Sequence, residues 1–121
     1  MQTLTEVLKL QLDTEGATLT TAKADEKGLR AAIAVTKEIR KEIAGNITRL
    51  KTELKVVDRK GGGKRAAEIN RMVAYFRETY NNFFEELLMY KAQLAAVKNF
   101  LKSQEPLVHA LDKHWEDSKN A

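Results

Sequence analysis

The stretch Asp58 to Arg65 reads Asp-Arg-Lys-Gly-Gly-Gly-Lys-Arg, and it is the part of this chain best supplied for chemistry on phosphates. A nucleotide-binding phosphate loop needs a glycine, four residues, then Gly-Lys followed by Ser or Thr. Aligning Gly63–Lys64 with that Gly-Lys puts Asp58 at the first glycine position and Arg65 where the metal-binding hydroxyl belongs. No strand pattern precedes the loop either. The glycines therefore read as a turn: glycine reaches left-handed backbone freely and ends helices, and Ala66-Ala67-Glu68 is a fitting helix start. Arg59, Lys60, Lys64 and Arg65 are left as a candidate polyanion contact on that turn. With no aromatic among them to stack on bases, specific single-strand recognition is not expected.

Other reactive constellations are scarce. There is no cysteine, so disulfides, thiolate metal sites and thiol nucleophiles are excluded. The only serines are Ser103 and Ser118. His109 and His114 are five residues apart and point about 140° away from each other on a helix, too far to share a metal. No Glu-x-x-His pair of the kind that builds metal sites in bundles is present. Glu85 and Glu86 are chain neighbours and not a facing acid–base pair. The reading is no catalytic residue, no metal and no cofactor, and so not an enzyme.

The elements that would carry these residues are helical. From Ile69, alternating steps of four and three reach Val73, Phe76, Tyr80, Phe83, Leu87, Tyr90, Leu94, Val97, Leu101, Gln104, Val108, Leu111 and Trp115. All but Gln104 are apolar or aromatic, which chance would give about once in a thousand sequences of this composition. This is a heptad seam, the pattern by which one helix lies along another. Met72, Phe84, Leu88 and Phe100 flank it and widen the apolar stripe. Pro106 lies on the outward side and predicts a kink in this second helix, set at 66–118.

The first helix, 29–58, is less regular. Leu29, Ala32, Thr36, Ile39 and Ile43 keep a heptad, and a four-residue step then leads to Ile47, Leu50, Leu54 and Val57. Two successive fours read as a stutter. Residues 1–28 carry Gly16, Gly28 and six threonines from Thr3 to Thr21, which lower helix propensity. They read as an interrupted or third helix. Something must cover Leu94 to Trp115, either this segment continuing antiparallel or another chain.

One Pro and six Gly in 121 residues leave too few turn signals for an all-β chain. No apolar run approaches a membrane span, so no membrane partner is expected. The N-terminus lacks a basic leader pattern, which with the absence of cysteine suggests a soluble cytoplasmic protein. The net charge of +4 is uneven: 37–65 carries ten basic and four acidic side chains, while 1–36 and 66–121 are each at −1.

The sequence thus predicts an all-α protein of one domain. Its architecture would be a long antiparallel, coiled-coil-like helical hairpin with a basic glycine turn at 59–65. A homodimer, forming a helical bundle, is expected through Phe76, Tyr80, Phe83, Phe84, Leu87 and Leu88, with Trp115 at the seam's end. The expected function is a structural, adaptor or chaperone-like one, working by helix–helix contact with a protein partner or a second copy. The alternative is a nucleic-acid-associated accessory protein using the basic segment 37–65.

Overall fold

The computed structural model describes residues 2–120, which form two helices packed against each other: α1, Leu4–Arg59, and α2, Gly63–Asn120. Among the described residues there is no strand. The N-terminal residues are neither a third helix nor an interrupted one, because α1 runs through Gly16 and Gly28 without a break. The threonines that weakened the sequence-based expectation are accommodated locally. Thr14, Thr18, Thr20 and Thr21 each donate the side-chain hydroxyl to the carbonyl four residues earlier. That bond satisfies the hydroxyl within the helix. Thr3 caps the helix by accepting the Glu6 N–H at 3.2 Å, with Glu6 in the favourable first turn.

The turn follows from three consecutive glycines with positive φ, Gly61, Gly62 and Gly63. The Gly62 N–H donates to the Val57 carbonyl at 2.9 Å and the Gly61 N–H to the Asp58 carbonyl at 3.2 Å. This pair of bonds is the Schellman closure of a helix C-terminus, and it needs a left-handed residue at Gly61. At Pro106, the one proline of the chain, α2 continues helical, and the residue faces outward and is exposed.

Burial along α2 follows the expected seam throughout. All fourteen positions from Ile69 to Trp115 are buried or half-buried. On α1 the outcome differs from the stuttered pattern. An unbroken alternation of three and four runs from Thr5 to Val57 through Ile33, Thr36, Arg40 and Ile43, and each of its sixteen members is buried or half-buried. Counting apolar residues alone selects Ala32 and Ile39 in place of Ile33 and Arg40, and the step from Ile39 through Ile43 to Ile47 is what reads as a stutter. Ile39 is half-buried beside the seam, while Arg40 is one of its members.

Packing sorts the chain into two units, one being Ala31–Lys91 and the other the chain through Arg30 together with that from Ala92. In the first, Leu50, Ile69 and Val73 form a core cluster, with Ile47, Leu54, Val57 and Phe76 packed against it. Ile69 is fully buried. Burying such a side chain stabilises by about 1.5–3 kcal/mol relative to exposure. In the second unit the polar seam residue Gln104 is buried, and its side-chain amide donates to the carboxylate and the backbone carbonyl of Glu15. Glu15 is a seam residue of α1, so the N-terminal segment is what covers this part of α2.

Candidate functional site

Give the seam residues the heptad letters a and d, with Arg40 and Tyr80 at a and Leu50 and Ile69 at d. In an antiparallel pair the g positions of the two helices then lie on one flank of the seam and the e positions on the other. Within Ala31–Lys91 the flanks are identified by a contact. Arg65, at g of α2, donates to the Glu53 carboxylate, at g of α1, at 2.8 and 2.5 Å. Arg65 also reaches Glu68 at 3.3 Å. The hydrogen bond with Glu53, then that with Glu68, raises the Arg65 pKa further above its already high ordinary value.

The Glu53 flank carries exposed apolar side chains among charged ones. Val35, Val56, Met72, Tyr75 and Met89 occupy its c and g positions and are all exposed, Tyr75 most of all at 65%. Its charged members nearly cancel and include the Arg65–Glu53–Glu68 cluster. The opposite flank, at e and b, is basic. Lys37, Lys41, Lys51 and Lys55 on α1 and Arg77 and Lys91 on α2 are exposed there. Among the described residues none of these six is ion-paired, and Asp58, beside the turn, is the one carboxylate on that flank of the unit.

The residues expected for self-association divide between seam and surface. Leu87 is buried and Phe76, Tyr80 and Phe83 are half-buried in the seam against α1. Phe84 and Leu88 remain exposed, at 44% and 50%, on the basic flank. Of the apolar residues expected around Phe83 to Leu88, the seam takes up Phe83 and Leu87 and leaves Phe84 and Leu88 outside it. Trp115, in the other unit, is half-buried with Lys9 at 4.5 Å and Lys119 at 3.8 Å over its ring. On the turn, Arg59, Lys60 and Lys64 are exposed, whereas Arg65 is held by its two glutamates.

Two features escaped the sequence-based reading. Arg40 lies in the seam with its guanidinium 4.0 Å from the Tyr80 ring centre and 4.8 Å from that of Phe84. Its Nε donates to the Tyr80 carbonyl at 3.3 Å. Arginine suits this place because its planar group stacks on aromatic faces while its stem buries among apolar neighbours. The available signal was Tyr80 and Phe84 four residues apart on the partner helix, opposite a gap in the apolar count. The second missed feature is the basic flank, which a charge count by segment cannot separate from other cations in 37–65.

In the unit that includes the termini, Lys23 lies 3.9 Å from Glu105. A shallow groove there runs between Ala17, Thr21 and Ala22 of α1 and Val97 and Phe100 of α2. Tyr90, which belongs to the Ala31–Lys91 unit, donates its hydroxyl to Glu86 at 2.6 Å. That bond, then partial desolvation, then the carboxylate's charge raise the Tyr90 pKa. Among the described residues no three carboxylates or histidines are gathered as a metal site would need, and no helix is long and apolar enough to cross a membrane. No family model, no curated protein and no solved structure matches this chain.

Proposed function

We propose that this chain works by contact, as a non-enzymatic structural or adaptor hairpin in the cytoplasm that self-associates through the Glu53 flank of its Ala31–Lys91 unit. The observation that carries the reading is the exposure of Val35, Val56, Met72, Tyr75 and Met89 along one flank while the seam itself is already filled. Val56, Met72 and Tyr75 lie towards the turn and Val35 with Met89 towards the other end of the unit, and exposed apolar side chains outside the intramolecular seam offer contact points to a partner. A second copy suits it because the charges on the flank are near balance, so two such faces meet without net repulsion. The two helices supply a rigid scaffold, which lowers the entropy lost on association.

Sedimentation analysis across a concentration range tests this. The wild-type chain should form a dimer, and Met72→Lys with Tyr75→Lys should return it to a monomer of unchanged helicity. A wild-type monomer at the highest concentrations refutes the reading. A second reading, a nucleic-acid-associated accessory protein, is supported by the unpaired cations of the opposite flank.

A further inference from the structure

We infer that the basic flank of the Ala31–Lys91 unit is a docking face for the phosphate backbone of a nucleic-acid duplex, with Lys37, Lys41, Lys51, Lys55, Arg77 and Lys91 as its contacts. The inference rests on the second reading above and narrows the contact from the basic segment 37–65 and its turn to one flank built by both helices. These six cations project from one flank, and the g-to-g contact of Arg65 with Glu53 fixes that flank as the opposite one. From Lys37 to Lys55 the row on α1 is about 27 Å long at 1.5 Å per residue. A duplex carries one negative charge per roughly 1.7 Å of axis, so a straight row of that length meets more phosphates than it has cations.

The side chains around the cations fit such a partner. Ala34, Thr48, Ala67 and Ala74 lie on the same flank and are exposed, and only between Arg77 and Lys91 do bulkier residues, Phe84 and Leu88, stand beside the cations. Short side chains there let a bulky polyanion approach within reach of the lysines. Five of the six cations are lysine, a point charge that can donate to a phosphate from any direction, whereas base edges are read by bidentate groups such as the paired donors of Arg or the donor–acceptor amides of Asn and Gln. Two helices side by side also make a face too broad to enter a groove, since a single helix is already about 10–12 Å across. Contact with the backbone, without sequence preference, is what such a face can make. Single strands are a poorer fit. The flank offers one aromatic, Phe84, and the Arg40 guanidinium already lies 4.8 Å from it.

The test is fluorescence anisotropy of the full chain with a mixed-sequence DNA duplex over a series of salt concentrations. One variant changes Lys37, Lys41, Lys51 and Lys55 to Gln. A control removes the same four charges elsewhere, changing Arg49 on the opposite flank and Arg59, Lys60 and Lys64 on the turn to Gln. Circular dichroism confirms that all three proteins are equally helical.

Wild-type binding should weaken with salt with a log–log slope of up to about −5, for six neutralised phosphates. The flank variant should lose about 3.6 of that slope, about 0.9 per phosphate contact, and bind at least tenfold more weakly, while the control keeps most of it. Absence of salt-dependent binding by the wild type overturns both the second reading and this inference. Binding that survives the flank variant but is lost in the control keeps the second reading and overturns the docking face. Tighter binding to a single strand, or equal competition by polyglutamate at matched charge, overturns the choice of a duplex.

Discussion

Gly45 and Gly61 lie in the same packing unit, and a Cβ built on either meets no neighbouring atom within 4 Å. The same chemical change, glycine to alanine, is nevertheless expected to act in opposite directions at the two sites. Gly45 is in the interior of α1, at the outward f position, with ordinary helical backbone. Alanine there restricts the unfolded chain and adds helix propensity, a gain of about 0.5–1 kcal/mol. Gly61 has φ of 105°, which a residue with a Cβ rarely adopts. Its conformation is required by the two hydrogen bonds that close α1 onto Val57 and Asp58. Forcing alanine into left-handed backbone costs roughly 1–2 kcal/mol. The two variants should thus differ by about 2 kcal/mol, near the middle of those ranges. With a urea m-value of about 2 kcal/mol per molar, that separates their unfolding midpoints by about 1 M, with the wild type between them. Urea titration followed by helical ellipticity reads this directly. A Gly61→Ala midpoint at or above that of the wild type would refute the left-handed closure of α1. A lowered midpoint for Gly45→Ala would show that its outward face is in fact covered.

Ile69→Ala removes the one fully buried side chain of the Leu50–Ile69–Val73 cluster and should lower stability by about 2–5 kcal/mol in the same titration; a loss below about 1 kcal/mol would contradict the packing. Tyr90 should ionise above its ordinary value of 10.0, read as the difference in tyrosinate absorbance between the wild type and Tyr90→Phe, and Glu86→Gln should bring that midpoint down. Because the folded-state pKa is raised, the stabilisation from this bond is complete below the unfolded-state pKa and fades as pH rises through the folded one. Unfolding studied on the alkaline side should show this loss, and its absence in Tyr90→Phe identifies the group.

The helical hairpin was legible in the sequence because its cause is local and repetitive. The fourteen positions from Ile69 to Trp115 alternate by three and four, and a helix with one apolar stripe has to bury it against another helix. The glycine turn was legible for the same reason, since Gly61 to Gly63 supply the left-handed backbone that closes α1. The start of α1 departs from the expectation because the low propensity of its glycines and β-branched threonines is a weak local prior that packing of the whole helix overrides. Once the helix forms, the hydroxyls of Thr14, Thr18, Thr20 and Thr21 each bond to the carbonyl one turn back.

The pairing of residues far apart in the chain was beyond the sequence, and with it the character of each surface. Whether Arg40 or Ile39 belonged to the seam depended on Tyr80 and Phe84, forty and more residues away, and the aromatic rings decided for arginine. Gln104 was visible as a polar interruption, but only the packing of α1 on α2 supplied Glu15 as its partner. The cations of 37–65 formed one undivided group in the sequence. Tertiary structure divided them, because a charge acts through its position: Arg40 was drawn into the seam and Arg65 into a pair with Glu53, and four lysines were left on a common flank with Arg77 and Lys91 of α2.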